Sequence, residues 1–340
     1  MKRSRTRLLI TGGAGFIGYN LVNYLLKKNK YHILNIDKLS YAGYYYKKYP
    51  IVSKNYKFVK CDIGNKNKIN KLLNTFKPNK IINLAAESHV DNSINNPSKF
   101  IKNNIIAIFN FIEEVRNYLQ KNRVNDNFIF HHISTDEVYG DLEKNRNAFS
   151  EQSPYRPSSP YSASKSSIDH ILRAYFRTYN FPVVISICSN NFGPFQNVEK
   201  LIPLTINNII HEKNIPIYGN GKQIRDWIYV LDHVDALERV FKKGIMGETY
   251  NISTNNKLSN IEVIKKIIKI FDRDFPRSNK ESYSDLITYV KDRPGHDNKY
   301  VLNSNKIKKK LNWNLSSSFN KSLELTIKWY IKEINKYEKK

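Results

Sequence analysis

The feature that constrains this chain most is a rhythm of apolar runs. Through the first half, strand-length runs alternate with longer stretches that carry apolar residues at helical spacing. "TRLLITG" precedes "FIGYNLVNYLLKKN"; then come "YHILNID", "YKFVKCDI", the helix-like "KINKLLNTF" and "KIINLAA". "FIKNNIIAIFNFIEEVRNYLQ" reads as one long helix before the strand "NFIFHHIS". "YSASKSSIDHILRAYFRTYN" reads as a further helix, and "FPVVISICSNN" as a further strand. Strands that are apolar on both faces and separated by helices predict an α/β fold with a doubly wound parallel sheet. Ligands of such sheets sit at the carboxyl ends of the strands.

After Asn190 the rhythm breaks into shorter elements with Pro and Gly between them, such as "IPIYGNGKQIRDWIYV" and "YVKDRPGHDNKYVL". The expectation is a first domain over 1–190, with a segment of about 230–268 returning to pack on its sheet. A smaller mixed α/β domain is expected from 191–229 and about 269–325. The C-terminal "NKSLELTIKWYIKEINKYEKK" reads as a closing amphipathic helix that fades into a charged tail.

Charge narrows the function classes less than its size suggests. The net charge is +26, but the lysines are scattered among an excess of Asn, Ile and Tyr. That set suits an A/T-rich coding sequence, and no Arg-rich or aromatic-interleaved basic patch stands out. No specific nucleic-acid partner is expected, although a basic surface helps to gather an anionic substrate. No run of about 18 apolar residues is present, so no membrane span is expected. The start, "MKRSRTRLLITGG", is too short in apolar residues for a secretory segment. Two cysteines, Cys61 and Cys188, make neither a disulfide framework nor a metal cluster. They read as buried free thiols of a cytoplasmic protein.

"TGGAGFIG" places Gly12, Gly15 and Gly18 between the first strand and the first helix. Glycines there let backbone N–H groups at a helix N-terminus meet a pyrophosphate. Asp37, nineteen residues after Gly18 at the end of the second strand, suits the hydroxyls of an adenosine ribose and repels a 2′-phosphate. NAD is therefore favoured over NADP, with Lys38 softening the preference. Asp62 follows the third strand, where it can meet the adenine. For Asp37 and Asp62 the alternative is ordinary strand-end capping.

Two further motifs carry chemistry. "YSASK" sets Tyr161 and Lys165 four residues apart on one face of a helix. A free tyrosine has a pKa of about 10, and a neighbouring ammonium, helped by a positive nicotinamide, is expected to favour the phenolate. "HHISTDEVYG" ends a strand with Thr135, Asp136 and Glu137. Two adjacent carboxylates repel each other and resist burial, so a solvated loop is the plain alternative to a catalytic pair. His89 and His296 lack partners at metal-ligand spacing, so no metal is expected.

Together, "TGGAGFIG", "LAAESHVDNSI", "STDEVYGD", "YSASK", "SNNFGPFQ", "GNGKQIRDWIYVLDH" and "DRPGHD" resemble a nucleotide-hexose 4,6-dehydratase. More narrowly, they resemble the dTDP-glucose 4,6-dehydratase group of the extended short-chain dehydrogenase/reductase family, from about Leu8 to about Tyr330. The resemblance implies a Rossmann sheet, bound NAD and a homodimer formed through a four-helix contact. It also implies conversion of dTDP-glucose or UDP-glucose to a 4-keto-6-deoxy sugar nucleotide, a precursor of deoxysugars such as rhamnose. Tyr161 would take the C4 hydroxyl proton as hydride passes to NAD⁺, with Thr135 binding that hydroxyl and Lys165 tuning Tyr161 and holding the nicotinamide ribose; Tyr161 and Lys165 would thus also bind the cofactor. Glu137 would remove the C5 proton and Asp136 would protonate the departing C6 hydroxyl.

The resemblance also implies the binding residues. Phe16, Ile17, Asp37, Lys38, Leu39, Ser40, Asp62 and Ile63 would flank the cofactor with the glycines. Leu84, Ala85, Ala86, Glu87, Ser88, Asn103 and Asn191 would line its path. Ser88, Thr135, Asn190, Lys200 and Leu201 would meet the sugar nucleotide. So would Pro216, Ile217, Tyr218, Arg225, Asn260 and the run Asp292, Arg293, Pro294, Gly295 and His296. A guanidinium such as that of Arg225 suits diphosphate oxygens, a surface salt bridge being its alternative. Tyr19 and Asn103 depart from the family's usual residues. A UDP-sugar 4-epimerase, a UDP-glucuronate decarboxylase and a non-catalytic basic NAD-binding scaffold remain alternatives; intact Asp136 argues against the first two.

Overall fold

Seven parallel strands make the central sheet: β1 (Thr6–Thr11), β2 (Tyr31–Asp37), β3 (Tyr56–Lys60), β4 (Lys80–Asn83), β5 (Ile129–Thr135), β6 (Val183–Cys188) and β10 (Thr249–Ile252). Their spatial order is β10-β6-β5-β4-β1-β2-β3. The chain winds outward in one direction through β2 and β3 and in the other through β4, β5 and β6. The winding therefore reverses between β1 and β4, where a crevice opens at the carboxyl ends. The register brings Thr11 level with Ile36 and Asn83, and Thr135 level with Cys188. The computed structural model describes residues 5–122, 127–143 and 147–338. The basic Met1–Ser4 and the last two lysines of the charged tail lie outside the described residues.

Helices cover both faces because the central strands are buried on both, whereas the edge strand β3 carries exposed Lys57 and Lys60. One face buries Ile69 and Leu73 of α3 (Lys66–Phe76), Phe111 and Val115 of α6 (Ala107–Asn122), and Ile168 and Leu172 of α7 (Pro160–Tyr179). The other buries Leu21 and Leu25 of α1 (Phe16–Lys27) and Leu237 and Phe241 of α9 (Val230–Lys243). Local signals start these helices where the sequence says they should. Ser159 and Ser162 form a reciprocal capping box before α7, with Pro160 in the first turn. Asn65 caps α3 by accepting from Lys68 N–H.

The expected single helix over 100–120 is interrupted. After α2 (Tyr44–Lys48) and α4 (Val90–Asn95), the helix α5 (Pro97–Phe100) widens into a π turn over Ile101–Ile106 before α6 begins. The wider turn lets Asn103 and Asn104 both reach inward partners. Asn103 Oδ1 accepts from Lys38 Nζ at 2.9 Å, and Asn104 Oδ1 accepts from Glu87 N–H at 2.8 Å.

The remaining strands form two small sheets. β7 (Asn190–Phe192), β9 (Ile224–Tyr229) and β11 (Lys257–Ser259) make one, and β8 (Ile215–Tyr218) with β12 (Ile287–Val290) makes the other. They share a core with α8 (Leu201–Ile210), α10 (Asn260–Asp274) and α12 (Phe319–Glu338). The return to the large sheet is narrower than the expected 230–268. It consists of α9 and β10, whereas Lys257–Asp274 pairs with β9 and packs on α8. Conversely, α11 (Asn305–Leu311) and Trp313 pack on the large sheet, although they fall within the expected smaller domain. Apolar periodicity marks which face of a segment is buried, but it does not name the layer that covers it.

Candidate active site

The glycine loop sets one wall of a cleft at the winding reversal. Gly12 adopts φ +72°, and a Cβ there would lie 2.6 Å from Ala85 N. A Cβ on Gly18 would lie 2.2 Å from Gly12 O, so α1 can approach the loop only as glycine. Gly15 caps α1 without any side-chain hydrogen bond, and the first turn holds no acidic residue. The first-turn N–H groups thus face the cleft with no capping side chain. Gly15, Phe16, Ile17 and Gly18 all line it. That cradle of orphan donors fits a dinucleotide pyrophosphate.

Asp37 serves the same wall. Its Oδ2 accepts from Ala14 N–H at 3.0 Å and its Oδ1 from Leu39 N–H at 2.8 Å. The capping alternative is therefore real, yet the residue also lines the cleft, where free lone pairs remain. Burial raises its carboxyl pKa, while the two N–H bonds and Lys38 oppose that rise. Lys38 Nζ turns to Glu87 Oε1 at 2.8 Å, and Lys99 Nζ reaches Glu87 Oε2 at 3.2 Å. Burial works against the Glu87 charge, but the two ammonium groups outweigh it and hold the carboxyl below its usual range.

The segment after Ser40 closes the mouth of this wall, with Tyr41, Ala42 and Gly43 lining it. It continues through α2 to Tyr49, whose hydroxyl donates to Glu333 of α12 at 2.8 Å. Lys48 pairs with the same carboxylate at 2.6 Å. Tyr19 hydroxyl donates to Tyr49 O at 3.0 Å, and its ring lies 4.7 Å from that of Phe195. The unusual Tyr19 thus anchors this segment instead of disturbing the loop.

The opposite wall comes from the end of β5, the 3₁₀ turn Asp136–Tyr139 and the first turns of α7. Thr135 Oγ1 accepts from Glu137 N–H at 3.4 Å and donates to Asp136 Oδ1 at 3.3 Å. Asp136 is 2% exposed and its Oδ2 has no hydrogen-bond partner. Burial pushes its carboxyl well above the usual range, and adjacent Glu137 adds to the rise. Burial raises Glu137 as well, and it stays above its usual value although Arg293, Arg225 and Lys200 oppose the rise. The environments differ: nothing as strong opposes the rise of Asp136, which favours the protonated form, whereas the cations around Glu137 work toward a carboxylate. A solvated loop does not describe this.

Within the chain's own surroundings, Lys165 does not set the ionisation of Tyr161. Burial drives the Tyr161 phenol well above its usual value, and nearby Glu137 and Cys188 reinforce it. Lys165 is buried, donates to Ile133 O at 2.7 Å, and is itself lowered by that burial. Its ammonium is committed to the β5 backbone and is not the dominant influence on the phenol.

The cleft gathers Gly12, Lys38, Ser40, Asp62, Ile63, Leu84, Ala85, Ala86, Ser88, Asn103, Thr135, Asp136, Glu137, Tyr161, Lys165, Asn190, Asn191 and Lys200. Leu39 and Glu87 stand behind it; Leu39 packs beside Ala14, Tyr19 and Tyr46. The cleft lining does not reach Leu201, Pro216, Ile217, Tyr218, Arg225, Asn260 or the 292–296 run. Ile217 is buried in the core of the smaller layers, and Tyr218 is exposed. Arg225 is buried, donates to the carbonyls of Ile224 and Asp297, and stacks 4.4 Å from the Tyr300 ring. This excludes the surface salt bridge. His296 Nδ1 lies 2.6 Å from Asp292 Oδ1, and Gln223 donates to Asp292 Oδ2 at 3.0 Å. Asn260 N–H bonds Gln223 O at 3.1 Å, tying this group together beside the cleft.

Sequence reasoning missed Tyr41, Ala42, Gly43, Cys188, Ser189, Gln196, Asn197 and Glu199, all in the wall. Tyr41, Ser189 and Glu199 adjoin residues that were found, and the others lie two to four positions from one, so proximity in the chain was the available signal. His89 Nδ1 accepts from Asn92 N–H at the start of α4. Among the described residues, no group of three or more His, Cys, Asp or Glu side chains could hold a metal ion. No helix among them is long and apolar enough to cross a membrane.

Comparison with known proteins places this geometry. The family model described as GDP-mannose 4,6 dehydratase matches residues 9–326. A dTDP-glucose 4,6-dehydratase of Neisseria meningitidis is 44% identical over 96% of this chain and 93% of its own. The crystal structure of a dTDP-glucose 4,6-dehydratase of Streptomyces venezuelae, with NAD bound, superposes with a TM-score of 0.87. It is 34% identical and covers 98% of this chain and 99% of that one. A UDP-glucose 4-epimerase of Thermotoga maritima reaches a TM-score of 0.84 at 26% identity, covering 97% and 100%.

Proposed function

Because the chain belongs to the dTDP-glucose 4,6-dehydratase group of the extended short-chain dehydrogenase/reductase family, we propose that it removes water from dTDP-glucose to give the 4-keto-6-deoxy sugar nucleotide. The observation that carries this reading is the carboxyl pair in its two different environments. An epimerase shares the fold at a comparable TM-score, so fold alone does not choose between the reactions. Oxidation and reduction at C4 need the Tyr, the Lys and a small hydroxyl. Loss of water needs two more proton movements, and Asp136 and Glu137 are the groups available for them.

The glycine loop, Asp37 and the β4 wall would hold NAD, which would supply the hydride acceptor and donor that leave the overall reaction redox-neutral. The protein moves the protons. Tyr161 Oη receives the C4 hydroxyl proton, with Thr135 orienting that hydroxyl. Burial raises the phenol in this structure, so its function as a base depends on positive charge arriving beside it, which an oxidised nicotinamide provides. Once C4 is a ketone, C5–H is acidic, and Glu137 removes it. Asp136, protonated by its burial, delivers its proton to the C6 hydroxyl as water leaves.

The large sheet would hold the cofactor, and the smaller layers the sugar nucleotide. Ser88, Asn190 and Lys200 meet the hexose from the cleft. Arg225, Asn260 and the 292–296 run would meet the nucleotide from beside the cleft. Two chains would pair through the Pro97–Asn122 and α7 helices, where Ile101, Ile106, Phe109 and Tyr179 are exposed. The two buried free thiols support a reducing, cytoplasmic setting. The product is the type of intermediate from which deoxysugars such as rhamnose are made.

The test separates the two carboxyls and the two bases. Purified protein is incubated with dTDP-glucose and UDP-glucose separately, and products are identified by mass and NMR. Glu137→Gln should still reduce bound NAD on adding substrate but lose exchange of the C5 hydrogen with solvent deuterium. Asp136→Asn should keep part of that exchange and fail to expel water. Each should lose about 10²–10⁴ in turnover. Normal C5 exchange in both variants, with only affinity changed, would make the pair a binding element.

A further inference from the structure

The face of α7 that turns Tyr161 toward the cleft continues inward as Lys165, Asp169 and Arg173, each four residues on. Asp169 has no part in the chemistry above, yet it is fully buried. Its Oδ2 accepts from Ser134 Oγ at 2.7 Å and from Tyr155 hydroxyl at 3.0 Å. Its Oδ1 has no hydrogen-bond partner and lies 3.6 Å from His132 Nε2. Arg173 reaches it only indirectly, donating to Tyr155 hydroxyl at 2.6 Å.

The proton positions follow from the neighbours. Thr11 Oγ1 accepts from Ala85 N–H at 3.4 Å and donates to Asn83 Oδ1 at 2.5 Å. Asn83 therefore presents its amide nitrogen to His132 Nδ1, 3.0 Å away. Nδ1 is the acceptor, so a neutral His132 carries its proton on Nε2, pointing toward Asp169. The 3.4 Å approach of Lys165 Nζ to that same Nε2 is then a contact between two donors. Ser134, Tyr155 and His132 all present donors to Asp169, an arrangement that suits a carboxylate and not a protonated acid.

Lys165 needs such a partner. A buried ammonium with only one carbonyl in contact tends to give up its proton. The titratable groups facing it are His132 from β5, Cys188 from β6, and Tyr161 and Asp169 from α7. Of these only Asp169 is placed to carry a full negative charge. We infer that Asp169 is the buried counter-charge of Lys165, a positioning residue that keeps the lysine an ammonium. The inference takes from the proposed function only that Lys165 serves the cleft chemistry. Burial disfavours both charges, and each raises the chance that the other persists.

The experiment reads ionisation directly. The full chain is labelled with [ε-¹³C]lysine, and the Lys165 signal is assigned by its loss in Lys165→Arg. Asp169→Asn should lower the Lys165 titration midpoint on the order of 1–3 pH units. The alkaline limb of kcat/KM should move down by a similar amount. Asp169→Glu, which keeps the charge, should restore most of the midpoint. A second measurement on wild type needs no substitution to fold: the Asp169 ¹³Cγ shift should be that of a carboxylate at pH 7. An unchanged Lys165 midpoint in folded Asp169→Asn, or a neutral Asp169 carboxyl in wild type at pH 7, overturns the inference. Failure to turn over dTDP-glucose would sink the functional reading and leave these titrations intact.

Discussion

Gly15 and Gly18 look equivalent in "TGGAGFIG", but the structure predicts that their alanine variants fail in different ways. At Gly18 the added Cβ would lie 2.2 Å from Gly12 O, 2.7 Å from Gly13 Cα and 2.9 Å from Gly12 C. All three are backbone atoms, so no side chain can swing aside. Relief requires α1 to retreat from the loop by roughly 1 Å in a close-packed layer, an overpacking cost of about 3 kcal/mol. For a unit of about 200 residues that corresponds to a fall in Tm of roughly 6–12 °C. At Gly15 the Cβ would lie 3.5 Å from Gly12 O, an ordinary contact, and φ is −75°. Gly15→Ala should therefore cost at most about 1 kcal/mol of stability, the scale of a poorer N-cap. It should nevertheless weaken NAD binding at least about tenfold, because the new methyl stands where backbone must approach the pyrophosphate. Thermal unfolding and calorimetric NAD titration of both variants check the pair. If Gly15→Ala binds NAD like wild type while Gly18→Ala melts like wild type, the account of this loop is wrong.

Asp37→Ala should weaken NAD binding by roughly 1.5–3 kcal/mol, the scale of a hydrogen bond to a charged group, and narrow the preference for NAD over NADP. Unchanged affinities for both dinucleotides would reduce Asp37 to a cap for Ala14 and Leu39. Glu238 is buried and bonded to Lys242, Lys28 and Tyr31, which overcome its burial and bring its pKa from 4.5 down to about 2. At 1.36 kcal/mol per unit this is about 3 kcal/mol, and roughly 2 kcal/mol after allowing for lysines that are a third exposed. Because the folded pKa is the lower one, that stability is present above about pH 4.5 and fades as pH falls toward 2. Glu238→Gln should lose it at pH 7, and denaturant melts at several pH values would show the difference closing in acid. Light scattering at micromolar concentration should give twice the chain's 39.9 kDa; a mass near one chain would refute the helix-pair dimer.

The large sheet was legible because its central strands are apolar on both faces, and only a two-sided covering satisfies such strands. The cleft was legible for a related reason: chemistry-bearing residues cluster at strand ends, and the carboxyl end of a parallel sheet is one place in space. What the sequence concealed was direction. Arg225 and Asp37 are charged residues in plausible places, yet Arg225 spends its donors on carbonyls and Asp37 holds two backbone N–H groups. Tyr161 and Lys165 have the right spacing, but burial sets the ionisation of each more strongly than their neighbourhood does. Burial of polar groups is a three-dimensional sum that no single motif contains. The same limit hid Asp169, whose significance depends on His132 and Ser134 of β5 and Tyr155 of the loop before α7 converging on it.

The clasp between Tyr49 and Glu333 joins residues 284 positions apart. A ribosome working at about 5–20 residues per second makes the second roughly 15–60 s after the first. For that interval the segment beside the cofactor mouth lacks the helix that later packs on it. Tyr45, in particular, packs its ring 5.5 Å from that of Trp329 once α12 arrives. The glycine loop and sheet can fold early, but the segment that closes the mouth gains its far clasp only from a helix synthesised near the end. The order of the chain thus sets when that segment is pinned.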